Sequence, residues 1–226
     1  MGPDGAALLA RLVTLWGDPP KRASRRDPMD TSVAICIGLK AVSHYVALQH
    51  RDEPAEGDLI RRGITIPLVS VPQDEESKAF PVNEWVVVNQ SAGGLKVRRE
   101  APSQQPVTVG EVVGVKLIGR ARWTIGVARW ITVLEEGGLE FGIQFLANAA
   151  RSVSIQPTIA AISAQAKQAL LLNEGDTAAE ALLTTPNTFS DLREFEVDAE
   201  GRVSCVRATT LLEKTGRFEL FEFSAS

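Results

Sequence analysis

The 226-residue sequence predicts a mainly β protein: a small antiparallel β-barrel, a second and smaller β-rich unit, and a short N-terminal helix. Five runs rich in Val, Ile and aromatic residues lie between residues 83 and 146. They are short, regularly spaced and separated by glycine turns, which is the pattern of a small barrel. A further set of strand-like runs lies between 151 and 226, punctuated by Asp198-Ala199-Glu200-Gly201 and Lys214-Thr215-Gly216, two hairpin signals. Near the start, Leu8, Leu9, Leu12 and Trp16 recur at helical spacing.

In chain order, Asp4 is a candidate N-cap for a helix over 5–16, and Gly17-Asp18-Pro19-Pro20 stops it. Such a helix packs its apolar side on the body of the protein or on a partner; so abrupt an opening also suits a fragment of a longer protein. A basic segment, Lys21-Arg22-Ala23-Ser24-Arg25-Arg26, follows the double proline in a loop. Ser32 to Leu39 is rich in Val and Ile and reads as a strand. Ala41 to Gln49 fits either a continued strand or a helix. Residues 50–58 are charged, with Pro54 and Gly57, and form a loop. Ile64 to Val71 is a short extended run, broken by Pro67 and Pro72, and 72–81 is polar and disorder-prone.

The barrel strands are then Trp85–Val88, Leu95–Arg99, Val112–Ile118, Arg122–Leu134 and Leu139–Leu146, with Gly137-Gly138 as a hairpin signal. Strand candidates beyond are Gln168–Leu172, Ala181–Leu183, Leu192–Val197, Val203–Thr210 and Phe218–Phe223; residues 158–172 fit a helix equally well. The expected organisation is a helix and linker over 1–20, a barrel over 21–155 with an insertion at about 40–80, and the second unit over 156–226. That second unit could share strands with the 30–70 region.

The formal net charge of -4 opposes general nucleic-acid binding, which needs a broad basic field. Four cations within 21–26 read instead as a local anion site in an acidic protein. Cys36 and Cys205 sit in apolar, strand-like patterns and read as buried free thiols; a disulfide between them stays open from sequence. No stretch approaches the ~18 apolar residues that cross a bilayer, and the N-terminus lacks a basic leader and cleavage site, so a cytoplasmic protein without membrane insertion is expected. Trp85, Trp123 and Trp130 read as barrel core. His44 and His50 are isolated, and no Ser-His-Asp set, zinc spacing or phosphate-binding loop is present. Neither catalytic nor metal-ligating residues are assigned, and an enzyme is not expected.

The chemistry concentrates elsewhere. The run Trp85-Val86-Val87-Val88 is followed by Asn89-Gln90-Ser91-Ala92-Gly93-Gly94, and Arg22 and Arg26 form Arg-x-x-x-Arg upstream. Together with Gly126-Val127-Ala128-Arg129-Trp130 and Phe141-Gly142-Ile143-Gln144-Phe145-Leu146, these pieces resemble PilZ domains, receptors for cyclic di-GMP. That family pairs an RxxxR segment with a (D/N)xSxxG turn on a barrel. The resemblance covers residues 21–40 and 83–150. It departs from the family where about sixty residues separate Arg26 from Asn89, roughly three times the usual span.

The resemblance implies a barrel-edge site for cyclic di-GMP, with no further cofactor. Guanine O6 and N7 and the phosphate oxygens all accept from a guanidinium fork, so Arg22 and Arg26 would grip phosphate and guanine, with Arg25 and Lys21 adding charge. Asn89 would meet the guanine Watson–Crick edge, accepting through one oxygen where an Asp offers two. Ser91 would donate to phosphate, Gly94 would allow close backbone approach, and Arg98 is a rim candidate. The implied function is a receptor whose arginine loop folds over bound ligand and signals to a protein partner, in motility, exopolysaccharide or biofilm control. The alternative is a degenerate PilZ-type scaffold that mediates protein–protein interaction without nucleotide. A third reading, an RNA-contacting barrel, sits poorly with the net acidity.

Overall fold

The computed structural model describes residues 27–51, 79–100, 105–117, 120, 122–135, 137–158, 165–173 and 180–226. The helix expected over 5–16, the extended run at 64–71 and all but the last three residues of 72–81 lie outside them. The first barrel is built from β1 (Asp27–Ile37), β2 (Val82–Ser91), β3 (Gly94–Arg99), β4 (Val112–Lys116), β5 (Thr124–Val133) and β6 (Leu139–Ala147). It closes, with every pairing antiparallel, in the order β1-β2-β3-β6-β5-β4. One helix, α1 (Leu39–Arg51), follows β1. The second barrel contains β7 (Ala149–Pro157), β8 (Lys167–Asn173), β9 (Glu180–Thr184), β10 (Glu194–Ala199), β11 (Arg202–Lys214) and β12 (Glu219–Ala225), closed as β10-β11-β12-β9-β8-β7. The fold is thus mainly β, and the second unit equals the first in strand number.

Three apolar clusters explain which strands alternate and which do not. One fills the first barrel, with Val33, Ile35, Trp85, Val87, Leu95, Val97, Val113, Val115 and Phe141 among its members. Another fills the second barrel around Ile155, Leu171, Leu182, Phe195 and Phe221. The third lies between the barrels. It joins α1 residues Val42, Tyr45 and Val46 to Val112, Trp123, Ile125 and Val127 of the first barrel, and to Leu170, Leu172, Leu183, Phe218 and Leu220 of the second. β4, the first half of β5 and the apolar centre of β8 therefore bury both faces, and their sequences lose the polar–apolar alternation. β2 and β3 bury one face only, and theirs alternate.

Several expectations change as a result. β1 pairs with β2 and β4, so it closes the first barrel as a sixth strand and shares nothing with the second. Ala41–Gln49, ambiguous in sequence, is helical: Gly38 turns the chain with φ 96°, and Val42 N–H donates to its carbonyl. Tyr45 Oη donates to Phe80 O at 2.7 Å, and His50 Nε2 donates to Ala150 O at 3.0 Å, which seats α1 in the inter-barrel cluster. β8 is extended where a helix was equally plausible, because Ala169 and Leu171 face one cluster and Leu170 and Leu172 the other. β7 escaped the sequence reading because its alternate positions are small or polar, and it pairs with β8 and β10. Cys36 is buried and Cys205 exposed, and both are free. Burial pushes the Cys36 thiol up to about 12. Cys205 is opposite Glu196 on the outer face of β11, so its apolar neighbours do not enclose it. Among the described residues no helix is long and apolar enough to cross a membrane.

One fully buried carboxylate organises the second barrel. Glu219 Oε2 accepts the backbone N–H groups of Thr188 at 2.8 Å and Phe189 at 2.7 Å, and Lys214 Nζ lies 3.0 Å from Oε1. It holds a turn in which Asn187 sits at φ 61°. Burial pushes this carboxyl up, but the N–H groups and Lys214 outweigh it and hold it below the ordinary 4.5. Glu219→Gln is expected to destabilise the chain by about 2 kcal/mol, the scale of charge-assisted hydrogen bonds, in urea unfolding at neutral pH. A depressed carboxyl stabilises above its unfolded value and loses that effect as pH falls through the folded one, so the difference between parent and variant should shrink below about pH 4. An undiminished difference at pH 3 refutes the electrostatic account.

Candidate functional site

The inter-barrel cluster covers one side of the first barrel and leaves open the outer face of β3, most of β2 and the start of β6. On that face β2 and β3 join through a two-residue loop, Ala92-Gly93, with Ser91 paired to Gly94. Asn89 and Ser91 are therefore the last residues of a strand rather than members of a wide turn. A bulge decides where Asn89 points: Val87 pairs with Val97, but Asn89 pairs with Lys96, leaving Val88 as the extra residue. Val87 faces the core, so strict alternation would send Asn89 inward as well. The extra residue turns it outward, beside Lys96.

β5 uses the same device. Ala128 pairs with Ile143 and Trp130 with Gly142, so Arg129 is the extra residue and Trp130 is turned to the outer face. Since Lys96 also pairs with Gly142, the residues Asn89, Lys96, Gly142 and Trp130 form one row across four strands. A Cβ on Gly142 would lie 2.1 Å from Trp130 Nε1, so the indole rests on bare backbone. Lys96 Nζ stands 5.8 Å from the centre of that ring. Trp130 is half-buried, unlike Trp85 and Trp123, and this corrects the reading of all three as core.

Asn89 Oδ1 is screened from solvent and, among the described residues, has no hydrogen-bond partner. An unsatisfied buried acceptor costs about 1–3 kcal/mol, a deficit that a bound N–H donor would remove. Ser91 Oγ donates to Gly94 O at a long 3.3 Å. Gly94 is required by the barrel itself, because a Cβ there would sit 2.0 Å from Ile143 O. A Cβ at Gly93 would meet nothing within 4 Å, so the loop is open above.

The cations of this face are partly engaged. Arg98 donates from Nε (3.2 Å) and Nη2 (3.0 Å) to Glu140 Oε2, and Lys96 Nζ lies 2.6 Å from Glu140 Oε1. Burial works to raise the Glu140 carboxyl, yet Lys96 and Arg98 together hold it below its ordinary value. Arg98, expected at the rim, is thus bound to Glu140. Arg99 Nη1 donates to Asn83 Oδ1 at 2.7 Å, away from the row.

Lys21, Arg22, Arg25 and Arg26 lie outside the described residues. The residue after them does not: Asp27 pairs with Gln90, and Pro28 with Asn89. Of the sequence-derived positions, the structure brings Asn89, Ser91 and Gly94 to one barrel edge. Sequence reasoning did not single out Lys96, Glu140 or Trp130 as site residues. The signals for Lys96 and Trp130 were present in the polar alternation of β3 and in Trp130 two residues before the polar end of β5, but the bulge that turns Trp130 outward leaves no mark in composition.

Residues 68–152 match the family model described as the middle PilZ domain of the cyclic-di-GMP receptor FimW. The matched residues include Asn89 to Gly94 and stop short of the basic segment at 21–26. The chain is also similar to the cyclic-di-GMP receptor FimW of Pseudomonas aeruginosa, strain PAO1, being 25% identical over an alignment of 195 positions, with 66% of this chain covered. It spans only about a third (32%) of FimW's own length. No solved structure matches. The matched residues hold β2 to β6 of the first barrel with its Asn-x-Ser-x-x-Gly edge, and this part of the chain is accordingly similar to the middle PilZ domain of FimW.

Proposed function

We propose that this chain is a cyclic di-GMP receptor that holds its ligand on the outer face of the first barrel, between the Arg22–Arg26 segment and the Asn89–Gly94 edge. The observation that carries this reading is the pairing of Asp27 with Gln90. A peptide bond keeps consecutive Cα atoms about 3.8 Å apart, so the basic segment joins the barrel beside Asn89 despite the long stretch of sequence between them. Arg22 and Arg26 supply guanidinium forks for phosphate and the guanine O6/N7 edge, while Lys21 and Arg25 add charge. The unsatisfied Asn89 Oδ1 accepts from guanine N1–H or N2–H. Ser91 exchanges its long bond to Gly94 O for a phosphate oxygen, and Trp130 offers a flat surface against which a purine or an arginine can stack. Ligand binding changes the conformation of the arginine segment, and the altered surface is presented to a protein partner. No bond is made or broken in this scheme.

The scaffold reading has specific support as well, since Arg98 is tied to Glu140 and Ser91 to Gly94 in this structure. Isothermal titration with cyclic di-GMP separates the two readings: saturable binding supports the receptor, and no heat at millimolar ligand leaves the scaffold. Arg22→Ala and Arg26→Ala are each expected to abolish binding with an unchanged circular dichroism spectrum; parent-like binding by both removes the clamp. Trp130→Ala should weaken binding about fivefold, the low end of base–aromatic stacking, and an unaltered Kd removes the platform role. Asn89→Asp should tighten binding severalfold, because a carboxylate accepts from N1–H and N2–H together. Weaker binding by that variant contradicts the assigned guanine contact.

A further inference from the structure

The β11–β12 hairpin of the second barrel reaches onto the first. Its tip is a tight turn in which Thr215 Oγ1 accepts the N–H groups of Arg217 and Phe218, each at 3.0 Å. Phe218 is fully buried in the cluster between the barrels. Arg217 Nε lies 3.6 Å from Glu111 Oε2, and a Cβ on Gly110 would meet Thr215 at 3.6 Å. Next to this tip, Arg129 donates from Nη1 and Nη2 to the two carboxylate oxygens of Glu213, the second contact at 2.7 Å. From its other edge, Arg129 Nε donates to Gln144 Oε1 at 2.7 Å.

Gln144 is not a neutral neighbour. It pairs with Gly94 at the end of the Asn89–Gly94 edge, and the following residue, Phe145, donates its N–H to Gly93 O at 2.9 Å. Arg129 is also the bulge residue that turns Trp130 outward. On the far side, Leu212 is the extra residue of a β11 bulge immediately before Glu213. Both ends of the ion pair therefore sit at or beside a bulge, where a ladder is locally disrupted. The Arg129 side chain is one-third exposed and Glu213 one-quarter. A fork held by a carboxylate, one hydrogen bond from the edge where an anion is to bind, faces two competing acceptors.

We infer that the Arg129–Glu213 pair is a latch that couples the nucleotide face of the first barrel to the β11–β12 hairpin of the second. This rests on the function proposed above and adds to it the segment that carries the signal. A doubly anionic ligand at the Asn89–Gly94 edge attracts Arg129 and repels Glu213, so occupancy loosens the latch and frees the hairpin tip. Reciprocity then requires that opening the latch by other means favours the ligand.

Hydrogen exchange followed by mass spectrometry on the full chain, with and without saturating cyclic di-GMP, tests this alongside calorimetry. In the parent, amides at 211–218 should exchange about threefold or more faster with ligand. Glu213→Gln should exchange fast there without ligand, respond little to it, and bind it about fivefold more tightly. A purely structural role for the pair would loosen the hairpin and leave affinity alone, so an unchanged or weaker Kd in this variant overturns the latch. The parent experiment needs no variant: ligand bound with no change at 211–218 overturns the latch and leaves the receptor reading intact, whereas no ligand binding at all overturns both.

Discussion

The placement of β1 between β2 and β4 is the constraint on which the molecule depends. It supplies the sixth strand that closes the first barrel, and closure removes the open edges that an antiparallel sheet would otherwise expose. The same strand leads directly into α1, whose apolar side becomes the centre of the contact between barrels. Its first residues align with Gln90 and Asn89, so the chain that precedes it joins the barrel beside the polar edge. A single strand pairing thus sets the closure, the helix and the approach to the candidate site.

Asymmetric burial then selects which face remains available. β4 and the first half of β5 are covered inside by the barrel core and outside by α1 and the second barrel, whereas β5 from Arg129 onward is only partly covered. β2, β3 and the start of β6 keep their outer faces in solvent, and there the polar residues gather. Two bulges, at Val88 and Arg129, convert positions that strict alternation would send inward into outward ones. The result is a row from Asn89 to Trp130 that is polar at one end and flat and aromatic at the other.

Electrostatics temper that face without neutralising it. Glu140 binds both Lys96 and Arg98, which keeps two cations ordered while limiting how freely either can turn to an anion. Glu140 is itself buried while Lys96 and Arg98 stand partly exposed, so the carboxylate is the fixed member of this group and the cations its more mobile partners. Among the described residues of this face, Asn89 Oδ1 and the long Ser91 contact are the polar groups least well satisfied, and they lie where the start of β1 pairs with the end of β2. Arg129 is the exception in strength: its fork is filled by Glu213, and that bond, first among the influences on it, holds the guanidinium still more firmly protonated than usual.

The amino-acid sequence determined the class of the protein, most of its strands and the identity of the polar edge, because alternation, glycine turns and the Asn-x-Ser-x-x-Gly spacing are local properties of the chain. Residues buried on two faces lose alternation, and this is why Gln168–Leu172 stayed ambiguous, while β7 was missed because its alternate positions are small or polar. Tertiary structure alone decided that a second six-stranded barrel shares a core with the first, that Trp130 faces out while Trp85 faces in, and that Arg98 belongs to Glu140. It also set Asp27 beside Gln90 across more than sixty residues of sequence. Register, bulges and long-range pairing depend on which strands meet, and no local pattern of side chains encodes that meeting.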